Sequence, residues 1–315
     1  METAENVRYI YDRNVAWEDT GMAENYYIHP ASWWEPSADN KVKCRQCPRN
    51  CVIGDGHSGY CGVRENRGGK LFSISYGRPV AVHVDPIEKK PLARFMPGTS
   101  TFSFGTFGCN LGCLFCQNDS LSRGRYESPG NYEFVKPEQI IELARRTKSD
   151  SISFTYNEPT VFAEYAIDVA RLAHEAKLPC VLVSNGYITR EAADDFYPLI
   201  DAANIDMKGF SEEFYHEMTH SRLQPVLDSI KYLYTLGKHI EITMLVIPDK
   251  NDSMEMLNAW LDWVEQNLDK TVPLHFSAYH PCCEYTAPPT PRETLLAIRR
   301  QAHSRCFEQV FLGNI

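Results

Sequence analysis

The stretch GTFGCNLGCLFCQN, residues 105–118, decides how this chain is read. It grows out of an apolar run, TFSFGTF (101–107), with the composition of a buried strand, and it sets Cys109, Cys113 and Cys116 in a C-x3-C-x2-C spacing. Three thiolates from one short loop can close around an iron–sulfur cube, and they leave its fourth iron without a protein ligand. Gly105, Gly108 and Gly112 let the backbone curl tightly about a bulky inorganic core, where side chains would collide. Phe115, between two of the cysteines, is suited to shielding a cluster or packing on an adenine ring. A closed structural zinc site wants a fourth ligand, and this loop offers none. Three unrelated buried cysteines would not usually take this spacing directly after a strand.

Downstream of the loop, apolar runs at SISFTY (151–156), CVLVS (180–184), ANIDM (203–207), IEITMLVI (240–247) and PLHFSAY (273–279) alternate with segments of helical spacing. Pro137 suits a helix start, followed by an apolar face of Ile140, Ile141, Leu143 and Ala144. Further helices are expected over 160–177, after Thr189, and over 223–236, 253–268 and 291–304. Repeated strand–helix units imply a parallel sheet with right-handed crossovers, so the fold class is α/β, a partial (β/α)6 TIM-like barrel. In such barrels the chemistry sits at the C-terminal ends of the strands.

Upstream, the pattern changes. Cys44, Cys47, Cys51 and Cys61 form C-x2-C-x3-C-x9-C in a glycine-punctuated segment with little apolar core. Four thiolates would complete a zinc site or a fully ligated iron–sulfur cluster, and either would staple a module too small to hold itself together. The runs LFSISY (71–76) and PVAVHV (79–84), joined by Gly77 and Arg78, read as a hairpin. The expected organisation is an N-terminal extension over 1–98, carrying the four-cysteine module and the hairpin, and a barrel over 99–315. Residues 1–40 carry no functional signal.

Composition narrows the classes. A net charge of −9 argues against a broad nucleic-acid footprint, and a local basic group at Lys89, Lys90 and Arg94 reads as a solvated loop. The N-terminus lacks the apolar core of a secretory signal, and no apolar run reaches the ~18 residues that span a bilayer, so no membrane association is expected. The expected location is cytoplasmic. In that reducing compartment eleven cysteines, seven of them between Cys44 and Cys116, read as metal ligands or catalytic thiols. Cys180 and Cys306 read as ordinary buried residues; the adjacent Cys282 and Cys283 have no evident role.

Taken with CRQCPRNC (44–51), GYCGVREN (59–66), DPIEKKPL (85–92), YNEPT (156–160), SNGY (184–187), DMKGF (206–210) and APPTP (287–291), the cysteine loop resembles the radical S-adenosylmethionine (SAM) superfamily. Within it, the chain resembles the branch related to pyruvate formate-lyase activating enzyme, and most of all the radical SAM proteins that accompany Memo-like and AMMECR-like proteins, from about Val42 to Ile315. The resemblance implies a [4Fe-4S] cluster on Cys109, Cys113 and Cys116, SAM bound at its open iron, and an oxidoreductase reaction begun by a 5′-deoxyadenosyl radical. It also implies a one-electron donor such as flavodoxin or ferredoxin, and possible Memo-like and AMMECR-like partners.

By the same similarity Asn157 and Glu158 stand where related activases place a Gly-Gly-Glu motif that receives the methionine ammonium, with helix capping as the plain alternative. Ser184 and Asn185 fall at the end assigned to ribose and carboxylate, and Asp206 and Lys208 replace an Asp-Leu-Lys. Being two apart on a strand, Asp206 and Lys208 can face the barrel together, as SAM contacts or as an interior ion pair. Asp249 stands where relatives carry glycine, which puts a positive-φ turn there in doubt, and His280 is a candidate substrate contact. Members of that family commonly continue into a short cysteine-containing tail, whereas this sequence ends at Ile315. Two other functions stay open at this point: a glycyl-radical enzyme activase, and an iron–sulfur electron-transfer or sensor protein.

Overall fold

The computed structural model describes residues 27–127 and 131–315. Its N-terminal part consists of two small antiparallel sheets. β1 (His29–Pro30), β5 (Arg64–Arg67) and β6 (Lys70–Ser73) form one, in the order β1-β6-β5. β2 (Trp34–Pro36), β3 (Val42–Cys44) and β4 (Val52–Ile53) form the other. They enclose a small core of Ala31, Val42, Cys44, Ile53 and Leu71, while Trp33, Cys61, Val63 and Tyr76 pack into the main core.

The second part is an open eight-stranded sheet. β7 (Ala81–Pro86) lies antiparallel at one edge against β8 (Ser100–Gly105). Beyond them β9 (Ser151–Phe154), β10 (Cys180–Ser184), β11 (Ala202–Asp206), β12 (His239–Val246), β13 (Leu274–Ala278) and β14 (Val310–Gly313) follow in chain order, all parallel. Strands β8 to β13 are almost wholly buried, whereas the edge strands β7 and β14 are only partly so. The α/β class and the parallel sheet therefore stand as read from the sequence.

The helices are α1 (Asp119–Ser122), α2 (Pro137–Arg146), α3 (Ala163–Glu175), α4 (Arg190–Phe196), α5 (Glu212–Thr219), α6 (Gln224–Thr235), α7 (Met254–Asn267) and α8 (Arg292–Ser304). Pro137 opens α2 at its first turn, and Gln139 accepts the Lys136 amide at 2.7 Å. Along α3 the buried residues include Ala163, Ala166, Ala170 and Ala173 as well as Tyr165, Ile167 and Val169. Thr189 and Ser253 cap α4 and α7 through their hydroxyls. α5 has no counterpart in the sequence reading, because its eight residues sit in the loop after β11, between two motifs read separately.

Three expectations fail here. LFSISY and PVAVHV do not pair as a hairpin: β6 pairs with β5 and β1, while β7 pairs with β8 over six residues, Ala81 opposite Gly105 to Pro86 opposite Ser100. Alternating apolar residues mark a strand without naming its partner. In consequence the boundary expected at residue 98 would cut through the main sheet, which begins with β7. Cys306, expected to be buried, is exposed in a left-handed turn after α8 (φ 65°), whereas Cys180 is buried in β10 as expected.

Candidate functional site

Because β8 to β14 run parallel, their C-terminal ends open on one rim, where the cysteine loop and the motifs after β9, β10 and β11 start. Cys109, Cys113 and Cys116, on the loop after β8, share one cavity of about 380 Å³ with Asn157 and Glu158 after β9, Ser184 and Asn185 at the end of β10, and Asp206 and Lys208 at the end of β11. Nine residues chosen from sequence thus line a single space.

The cysteine loop is held by its surroundings. The Gly108 amide donates to Leu121 O, Gly112 to Thr219 O and Leu114 to Met218 O, so α1 and α5 clamp it from two sides. Asn157 braces its start: Oδ1 accepts the Thr106 amide at 2.9 Å, and Nδ2 donates to Phe107 O and Gly108 O. At Gly108 the backbone is left-handed (φ 92°), and a Cβ there would lie 2.6 Å from the carbonyl oxygen of Cys61. Glycine is needed for the approach of neighbouring protein backbone; a bulky core inside the loop is not what excludes a side chain at this position.

Glu158 is fully buried and its carboxylate is saturated. Oε1 accepts the Thr160 amide at 2.9 Å and the Thr160 and Ser184 hydroxyls at 2.7 Å; Oε2 accepts the Asn185 amide at 2.8 Å. It therefore caps the 3-10 turn Pro159–Phe162 and also ties the end of β9 to the end of β10. Burial raises its pKa above the ordinary carboxyl value, opposed by these hydrogen bonds. Asn185 carries the connection onward, from Nδ2 to Asn110 Oδ1 at 2.9 Å and to the Cys109 sulfur at 3.8 Å.

Across the cavity Lys208 Nζ pairs with Asp206 at 2.8 Å. Burial alone would lower the Lys208 pKa; Asp206, and the Cys113 sulfur beside it, reverse this, so the ammonium is strongly held. The buried thiols behave oppositely. Burial and then Glu158 push Cys109 up, and burial pushes Cys113 up to about 12. Thiols of that kind stay protonated unless a metal ion replaces the proton. The donor set fits a [4Fe-4S] cluster: three sulfurs from one loop, one open side, and a cavity with a paired cation and several amide and hydroxyl groups around it.

Several lining residues escaped the sequence reading. Thr243 stands opposite Asp206 in the β11–β12 register, and Ser277 opposite Leu245 in β12–β13, so strand alternation carried through to β13 would have found them. Tyr156, left-handed at φ 71°, and Lys90 have no such signal. Lys90, read as part of a solvated patch, is buried: it pairs with Asp85 at 2.6 Å, and Asp85 also accepts the Tyr156 hydroxyl at 2.6 Å. Asp249 adopts φ 61° without being glycine, so the positive-φ turn is present, and its amide donates to Asp252 at 3.0 Å. His280 is exposed and is not among the residues lining this cavity. Phe115 is buried against Phe214 while bordering the cavity, and the Cys282 thiol donates to Phe115 O at 3.3 Å, tethering the loop after β13 to the cysteine loop.

Cys44, Cys47, Cys51 and Cys61 line a second, much smaller cavity, bordered on its barrel side by Asn110 and Val161. Burial pushes the Cys61 thiol up to about 11 and raises Cys47 further.

The model of the Radical SAM superfamily matches residues 104–261, half of the chain. The chain belongs to the radical SAM superfamily. An uncharacterized protein of Methanocaldococcus jannaschii, MJ0808, is 40% identical over 290 residues, covering 91% of this chain and 86% of that one. A second protein of that organism, MJ1632, whose given name proposes a glycyl-radical enzyme activating role, is 27% identical over 158 residues, 48% of this chain and 58% of its own. Among solved structures, Streptococcus suis SuiB bound to precursor peptide SuiA superposes with a TM-score of 0.55 at 14% identity, over 67% of this chain. The chain spans about half the length of that protein (48%), and the likeness is one of fold. No helix among the described residues is long and apolar enough to cross a membrane.

Proposed function

We propose that this chain cleaves SAM reductively and directs the resulting 5′-deoxyadenosyl radical at a substrate belonging to the system of Memo-like and AMMECR-like proteins. The reading is carried by one observation: three thiols of a single loop and six polar residues from three other strand ends line one cavity. A [4Fe-4S] cluster on Cys109, Cys113 and Cys116 would supply the electron that opens the sulfonium. The protein's part is to place SAM and exclude water. Asn157 holds the cysteine loop in position. Glu158 keeps Ser184 and Asn185 aimed at SAM and offers its ammonium a negative field. Asp206 and Lys208 form a charged floor. Cys44, Cys47, Cys51 and Cys61 hold a second metal centre, zinc or iron–sulfur, that staples the N-terminal module. A flavodoxin- or ferredoxin-type donor and a cytoplasmic location complete the proposal.

The test is 5′-deoxyadenosine formation by anaerobically reconstituted protein with dithionite and SAM. Wild type should form it, and the Cys109→Ala/Cys113→Ala/Cys116→Ala variant should not; product from the variant would overturn the assignment. Failure of cluster-replete wild type to bind SAM would instead favour an electron-transfer or sensor role. The likeness to MJ1632 favours a second reading, a glycyl-radical enzyme activase, which requires a peptide loop as substrate. A glycyl-radical signal in a partner protein after incubation would select it.

A further inference from the structure

A first observation is the cavity itself: all four thiols of the N-terminal module line it, together with Gln46, Arg64 and Asn110.

A second observation concerns hydrogen-bond donors. Gln46 and Arg64, 2% and 1% exposed, both border the cavity, and Gln46 Nε2 and Arg64 Nε find no acceptor in the protein. A buried donor without an acceptor is costly, on the order of 1–3 kcal/mol, and such cases call for a missing partner. Bridging sulfides would add acceptors that a zinc site lacks, and donors aimed at cluster sulfurs set its potential.

The third observation is position. Asn110, which follows Cys109, borders the same cavity, and its carbonyl accepts Arg49 Nε from the module. The Cys61 carbonyl lies against Gly108, the residue before Cys109. Zinc has no redox chemistry to use such proximity.

We propose that Cys44, Cys47, Cys51 and Cys61 hold an iron–sulfur cluster, and that this centre is the port through which single electrons reach the 109/113/116 loop. One electron enters from a flavodoxin- or ferredoxin-type donor and one leaves to the SAM-binding cluster; no bond changes and no proton moves. The relay rests on the function proposed above, whereas the identity of the metal does not. The Cys109→Ala/Cys113→Ala/Cys116→Ala protein, reconstituted anaerobically, should contain about four irons and four sulfides per chain and give a reduced-cluster paramagnetic resonance signal. Zinc with no iron, or neither metal, would overturn the proposal. In fully reduced wild type the two centres should couple magnetically, broadening the spectrum beyond the sum of separate signals. A wild-type spectrum equal to that sum would overturn the relay, and a wild type with no more iron than the variant would instead count against the cluster at 109/113/116.

Discussion

Glu158→Gln separates a residue that binds SAM only from one that builds the site. The carboxylate receives four donors, three on Oε1 and one, the Asn185 amide, on Oε2. A glutamine can keep its oxygen toward the first three, but its NH2 then faces the Asn185 N–H across 2.8 Å, donor against donor. Losing a charge-assisted bond and leaving a buried amide unpaired costs about 2–3 kcal/mol together. Unfolding entropy of ~2.1 cal/mol/K per residue gives ~0.66 kcal/mol/K for 315 residues, so the melting temperature should fall about 3–5 °C without SAM present. SAM affinity should fall as well, roughly tenfold, because Asn185 links this carboxylate to the Cys109 sulfur. Calorimetry on cluster-replete protein, with thermal melts in parallel, measures both. An unchanged melting temperature with weakened SAM binding would refute the buried-anchor argument and return Glu158 to a simple ammonium ligand.

Glu241 provides a pH dependence under the barrel floor. Burial would raise its pKa, but hydrogen bonds from His239, His275 and the Ala93 and Arg94 amides hold it down to about 2, against an ordinary value of 4.5. A lowered carboxyl stabilises the fold above its unfolded pKa, so about 3 kcal/mol should be lost as pH falls from near 4.5 through about 2. Denaturant melts at pH 5 and pH 3 should show about 2 kcal/mol of this loss in wild type and not in Glu241→Gln; equal loss in both would count against it. Gly108→Ala should lower stability by on the order of 2 kcal/mol and reduce iron in both cysteine groups, since its Cβ would meet Cys61 O at 2.6 Å in a left-handed backbone; iron content at the wild-type level would show that the contact is unimportant.

The barrel was legible because periodicity and the strand-end rule act locally. Six helices and the placing of Asn157, Ser184 and Asp206 on one rim follow from that pattern, since parallel strands leave their ends together. Strand pairing in the N-terminal part was not legible: alternation in PVAVHV marks a strand but names no partner, and its pairing with β8, Val82 opposite Phe104 and Val84 opposite Phe102, is set only in three dimensions. The role of Glu158 was hidden for a related reason. A motif tells which residue stands at a strand end, but four donors from two loops meet there only in three dimensions. Lys90 was misread because its partners, Asp85 and the ring of Tyr156, convert a basic run into a buried pair.

The N-terminal module is fastened to the barrel by groups far apart in the chain. Arg64 pairs with Glu164 of α3 at 2.7 Å with both side chains buried, the Ser32 amide donates to Glu164 at 2.9 Å, and Trp33 Nε1 donates to Asp195 of α4 at 2.8 Å. The module is made first during synthesis, yet its anchors are made only after another hundred residues or more. Until α3 and α4 have formed, Arg64 has no counter-charge and the four cysteines have no wall on the side that Asn110 and Val161 later supply. Closing such long loops is slow. The nascent chain therefore passes through an interval in which these thiols are open to incoming metal and sulfide, and docking onto the barrel then seals whatever they have taken up.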